Sequence, residues 1–233
     1  MKNALKYAVI SALLTFVGVV AFAQQNPQVE ITNPVEPKTP LTKNWVFVMD
    51  TSHSMQGVFE KSRAAFLHAT SFPTDELFFS VITFNNQSME KFRDWRPASA
   101  QEFQEAGRWV EQEMRVLSYG RRAIEMALHL ERRELTVVLI TDGGFTEACE
   151  NRGFDSMRRA FADGQEWRRN NGYGQALICS IGIENIGYTT GHKPSDADCQ
   201  AFLREMGDQY GGGYFLVRNA MPVAGAPVRS KRR

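Results

Sequence analysis

The chain has 233 residues, 43% of them apolar and 23% charged, an ordinary balance for a globular protein. That composition excludes disorder throughout, a collagen-like repeat and a coiled-coil rod. Lys plus Arg (27) nearly cancels Asp plus Glu (26), and a net charge of +1 carries no electrostatic footprint for nucleic acid.

In chain order, the first pattern is a targeting segment. Lys2 and Lys6 precede an uncharged, mostly apolar run from Ala8 to Val20, and Ala21-Phe22-Ala23 supplies a small-x-small cleavage pattern. The run is short for a bilayer span, which needs about 20 apolar residues. Residues 1–23 are therefore expected to be a cleaved signal peptide, the alternative being an uncleaved anchor. No later stretch is long and apolar enough to span a membrane, so the mature chain is expected to be periplasmic or secreted. Residues 24–43 contain Pro27, Pro34, Pro37 and Pro40 among polar residues and read as an extended linker.

A regular domain is expected over 44–218. Trp45–Met49 is an apolar run ending in Asp50 and reads as a buried strand. Val58–Ala69 has helical spacing. Leu77–Phe84 is a second strand, and Met89–Trp95 alternates like an edge hairpin partner. Ser99 with Glu102 fits a capping box opening a helix to about Met114. A helix over about 121–132, a strand over 135–141, a helix over about 154–169 and a strand over 176–183 follow. Then come a helix over about 196–210 and a last strand over 214–217. Strands alternating with long helices imply crossover connections. The fold class is thus α/β, a mainly parallel six-stranded sheet with helices on both faces. The tail 219–233, ending Arg229-Ser230-Lys231-Arg232-Arg233, reads as flexible and basic.

Ligands of such sheets bind beyond the carboxyl ends of the strands. Two strand ends carry acids there: Asp50-Thr51-Ser52-His53-Ser54-Met55 and Thr141-Asp142-Gly143-Gly144. Asp50, Ser52, Ser54 and Asp142 make a hard oxygen set that suits Mg²⁺ or Mn²⁺. Each piece also has a plain structural use: Ser54 as a helix cap, Asp142-Gly143 as a turn.

Asp50-Thr51-Ser52-His53-Ser54 resembles the D-x-S-x-S motif of the von Willebrand factor A (vWA) family. Leu139-Ile140-Thr141-Asp142-Gly143 resembles that family's later acidic element, and Gly212-Gly213-Tyr214-Phe215-Leu216-Val217 its last strand. The resemblance spans about residues 44–217. It implies a Rossmann-like doubly wound fold, a metal ion-dependent adhesion site and a binding module whose protein partner completes the ion's shell with an acidic side chain. One position departs from the pattern. Counting back from Ala127-Leu128 puts Arg122 where the family has a metal-binding Thr, and Ser118 is the nearest hydroxyl, displaced along the chain. Two readings follow. Ser118 or a water substitutes for the Thr and the ion binds, or Arg121 or Arg122 replaces the ion and leaves a metal-free scaffold. A metal-dependent hydrolase on the same carboxylates is a third, but no nucleophile–base pair or histidine cluster supports it.

The remaining candidates are weaker. The motif's alternation turns His53 away from the acids. Arg132-Arg133, Arg158-Arg159 and Arg168-Arg169 read as solvated helix surface. Among the three cysteines, Cys179 lies in an apolar run and reads as a buried thiol, while Cys149 and Cys199 are candidates for a disulfide beside the site.

Overall fold

The computed structural model describes residues 29–35, 38, 42–58, 77–85, 89–112, 118–151, 153–184 and 194–219. The expected signal peptide, the tail after Asn219 and all but the first residue of the helix expected over 58–69 lie outside the described residues.

The described strands are β1 (Val29–Val35), β2 (Asn44–Asp50), β3 (Phe78–Phe84), β4 (Met89–Pro97), β5 (Leu135–Thr141), β6 (Leu177–Ile183) and β7 (Gly211–Asn219). The α-helices are α1 (Ala100–Gln112), α2 (Arg121–Leu128), α3 (Thr146–Glu150), α4 (Asp155–Asn170) and α5 (Asp196–Gln209). The strands form one sheet in the order β1-β7-β6-β5-β2-β3-β4. Pairings β2–β3, β2–β5, β5–β6 and β6–β7 are parallel. Both edges, β3–β4 and β1–β7, are antiparallel. The α/β, mainly parallel, doubly wound architecture agrees with the sequence reading.

The difference is a seventh strand. Residues 29–35 were expected to be part of a linker but add β1 to the free edge of β7. The register slips between Thr32 and Val35, across Pro34. Proline lacks the N–H that a ladder needs, so it is tolerated only at an edge or an irregularity.

Two apolar layers hold the sheet. On one face Val46, Val48, Leu135, Val137 and Leu139 pack against Ile124 and Leu128 of α2, Met157 and Phe161 of α4, and Phe202 and Met206 of α5. On the other, Phe47, Met49, Val81, Val138 and Ile140 pack against Phe103, Ala106 and Val110 of α1. Alternate residues of β2 serve opposite layers, as the two-residue strand period requires. All seven residues of β5 are buried, which explains its near-continuous apolar run. Ser99 caps α1 by accepting the Glu102 N–H at 3.2 Å. Ser195 and Asp198 close a full capping box on α5.

β2 lies between β3 and β5, so the connections leaving the carboxyl ends of β2 and β5 run to opposite sides. That is the switch point of the sheet, where a crevice opens. Met49 pairs with Ile140, which brings Asp50 beside Thr141.

Candidate metal centre

Asp50 ends β2 and is 1% exposed. Its Oδ1 accepts the Ser52 N–H at 2.9 Å. Its Oδ2 accepts two hydroxyls, Thr141 Oγ1 at 2.7 Å and Ser118 Oγ at 3.0 Å. Ser52 and Ser54 share a hydrogen bond of 3.0 Å between their hydroxyls. The turn that aligns them is a 3₁₀ segment, His53–Val58, anchored by Met55 N–H on the Ser52 carbonyl. Thr51 faces the other way and donates to the Phe84 carbonyl at 3.2 Å. His53 is exposed, as the alternation predicts.

Asp142 follows β5. Its Oδ1 accepts the Gly144 N–H at 2.9 Å, and its carbonyl accepts Gln200 Nε2 of α5 at 3.2 Å. Gly143 adopts a φ of +84° and lies against Cys199, so a side chain there would meet both strain and the Cys199 Cβ. Burial pushes the Asp50 carboxyl up from 3.8 to about 7, and the negative charge of Asp142 pushes in the same direction. Hydrogen bonds from Ser52 and Thr141 oppose both. The two acids are thus close enough to repel.

Ser118 was offered by the sequence as a substitute hydroxyl, displaced by linear counting from the family's Thr position; it is 3% exposed and its hydroxyl reaches Asp50. Thr141 is the addition to the sequence reading: its hydroxyl donates to Asp50 and accepts the Gly143 N–H at 3.0 Å. Its place as the residue before Asp142 on a buried strand was the available signal.

Arg121 and Arg122 do not enter the cluster. Arg121 pairs through Nε with Glu125 Oε1 at 2.7 Å, and both arginines are exposed. The reading in which a guanidinium replaces the ion is therefore corrected. Both residues open α2, whose buried stripe is Ala123, Ile124, Ala127 and Leu128, and this sets their side chains on the solvent side. Arg168, read as helix surface, is instead 0% exposed.

The expected Cys149–Cys199 bridge is also not formed: Cys149, Cys179 and Cys199 are all free. Cys199 belongs to the core layer under α5, whereas Cys149 sits on the exposed side of α3. Burial, reinforced by Asp142, pushes the Cys199 thiol up to about 12, which withholds the thiolate that exchange requires.

The assembled donor set is hard oxygen: two carboxylates and the hydroxyls of Ser52, Ser54, Ser118 and Thr141. Among the described residues no group of three or more His, Cys, Asp or Glu is arranged so that it could hold a metal ion. Metal chemistry here would accordingly be that of Mg²⁺ or Mn²⁺, which accept few carboxylates and keep waters or external ligands.

No protein-family profile matches the chain, and no curated protein sequence does. Among solved structures the chain is similar to the VWA domain of SpRpn10, at 14% identity and a TM-score of 0.44, covering 63% of this chain and 78% of that one. It is also similar to the pilus adhesin SpaC from Lactobacillus rhamnosus GG, at 13% identity and a TM-score of 0.42. That likeness covers 80% of this chain but only 33% of the adhesin.

Proposed function

We propose that this protein is an exported vWA-like binding module that recognises a protein partner through a divalent cation. Asp50, Ser52 and Ser54 hold the ion, Ser118 takes the place of the family's Thr, and Asp142 binds directly or through water. A bound Mg²⁺ or Mn²⁺ offers an open coordination position to an acidic side chain of the partner. The observation that carries this reading is the convergence of Ser118 and Thr141 hydroxyls on Asp50 at 3.0 and 2.7 Å, in a crevice where Asp142 adds a second charge. Two neighbouring carboxylates, with the Arg121 and Arg122 guanidinium groups turned to solvent, favour a cation. Binding is preferred to hydrolysis because, among the described residues, no hydroxyl is paired with a histidine that could activate it. Export rests on the pattern of residues 1–23.

Calorimetric titration with Mg²⁺ and Mn²⁺ tests the centre. The parent chain is expected to bind at least one of the two ions, and Asp50→Ala to weaken that binding at least tenfold while the far-ultraviolet circular dichroism stays unchanged. An Asp50→Ala chain with the parent's affinity would remove the site from the cluster.

A further inference from the structure

The segment 118–121 delivers Ser118 to Asp50, and its own hydrogen bonds run to one place. Ser118 N–H donates to Thr146 Oγ1 at 3.0 Å, and Thr146 N–H returns to the Ser118 carbonyl at 2.7 Å. Gly120 N–H and Arg121 N–H both donate to the Glu147 carboxylate, at 3.3 and 3.0 Å. Tyr119 Oη donates to Glu150 Oε1 at 2.8 Å. Of the four backbone N–H groups in the segment, three therefore end on side chains of α3, and the fourth, Tyr119, reaches the Asn85 carbonyl at 3.4 Å.

The close fit continues in the packing. A Cβ at Gly120 would stand 2.5 Å from Phe145 Cε1. That ring is fully buried and stacked on Phe84 at 5.9 Å, so it has nowhere to retreat. Burial raises the Glu147 carboxyl while the Arg121 and Gly120 N–H groups favour its charged form. α3 begins four residues after Asp142. One continuous stretch, 142–150, thus carries the second acid of the cluster and also grips the loop bearing the substitute hydroxyl.

We infer that α3 is a clamp that seats Ser118, with Thr146 and Glu147 as positioning residues of the candidate metal centre. This inference rests on the metal reading above for its consequence and on the hydrogen bonds alone for its mechanism. A side chain with two hydrogen-bonding partners in one loop fixes that loop's distance and its rotation. Ser118 could then occupy a ligand position despite a spacing that differs from the family's.

The test reads the clamp and the ion separately. Amide hydrogen exchange at Ser118 and Mn²⁺ affinity are measured on the full chain for Thr146→Val, Thr146→Ser, Ser118→Ala and the Thr146→Val/Ser118→Ala double variant. Thr146→Val keeps the shape of the side chain and removes the acceptor. It is expected to speed exchange at Ser118 at least tenfold and to weaken Mn²⁺ at least fivefold. Thr146→Ser restores the acceptor and is expected to stay within twofold of the parent in both readouts. The double variant is expected to bind Mn²⁺ no more weakly than Ser118→Ala, because Thr146 acts through Ser118. Unchanged exchange in Thr146→Val overturns the clamp, as does unchanged Mn²⁺ affinity alongside faster exchange. Additive losses in the double variant, or equal losses in the Val and Ser variants, also overturn it. A parent chain that binds neither ion removes the metal reading instead, and the exchange rates at Ser118 still decide whether α3 holds the loop. Glu147→Gln, read through exchange at Gly120 and Arg121, gives an independent check should Thr146→Val fold poorly.

Discussion

The two ends of the sheet each bury an ionisable group, and they treat it in opposite ways. At the amino end, Arg168 of α4 is fully buried, and burial lowers its guanidinium below the ordinary range. Its five N–H groups reach five carbonyls: Gly174 at 3.0 Å, Leu128 at 3.4 Å, Leu130 at 3.0 Å, Arg132 at 2.6 Å and Tyr173 at 3.5 Å. Leu128 ends α2, so the guanidinium satisfies carbonyls that a helix end leaves open. At the carboxyl end, Asp50 and Asp142 meet hydroxyls and N–H groups, and their mutual repulsion is left standing. The guanidinium has no donor left and binds nothing further. The carboxylates still favour a cation. A buried charge is thus a rivet where its surroundings exhaust it, and where they do not it is the proposed ligand.

The sharpest way to break this contrast is to remove the rivet. Arg168→Leu strands carbonyls from the segments before β5 and β6, and also removes the cation lying 5.8 Å from the Tyr173 ring. Leaving several buried acceptors unsatisfied is expected to cost about 3–5 kcal/mol of unfolding free energy, read from urea denaturation. A cost under about 1 kcal/mol would show that water replaces the guanidinium and that the amino end is not closed.

The carboxyl end responds to pH. An acid raised in the folded chain keeps its proton longer than in the unfolded chain, so its ionisation penalises the fold. Asp50 rises from 3.8 to about 7 through burial and the charge of Asp142. Its contribution is therefore fully favourable below about pH 4 and is lost as pH rises toward 7, an effect on the order of a few kcal/mol. With chelator present, the melting temperature is expected to fall across that window. Saturating Mn²⁺ should flatten the profile, because the ion stabilises the charged form. Asp50→Asn should flatten it without any ion. A parent profile already level in chelator would mean that Asp50 is not under electrostatic load.

These expectations also mark what the sequence could and could not convey. The strands of the core were legible because burial on both faces writes near-continuous apolar runs, as in Leu135–Thr141. Asp50 and Asp142 were legible because each stands at the end of such a run. β1 was not, because an edge strand takes its hydrogen bonds from one neighbour and tolerates Pro34 at the slip in its register. Arg168 was hidden by its partners, which are backbone carbonyls and leave no trace in residue types. Ser118 was legible only as a displaced substitute, because the loop path cannot be counted. Counting along the chain assumes an even spacing, whereas Gly120 lets the backbone pass against Phe145 and turns an earlier hydroxyl inward. The same loop path moves Arg122 outward, although the count had placed it in the site.

The smallest effect belongs to that residue. If position alone governed the site, Arg122→Thr would remove a repelling charge, add an oxygen ligand and strengthen ion binding. The structure leads to the expectation of almost no change. Both arginines at the start of α2 are exposed, and Arg121 directs its guanidinium to Glu125 at 2.7 Å. Ser118 already donates to Asp50 at 3.0 Å and position 122 lies on the exposed side of α2, so a Thr there is not expected to reach Asp50. What remains is a charge acting through water, which salt screens over about 8 Å at 0.15 M ionic strength. Mn²⁺ affinity of Arg122→Thr is therefore expected to stay within about twofold of the parent at that ionic strength, measured by calorimetry. A gain of tenfold would place the Arg122 guanidinium over the carboxylates. Both ends of the sheet would then be closed by an arginine, and the contrast between rivet and ligand would fail.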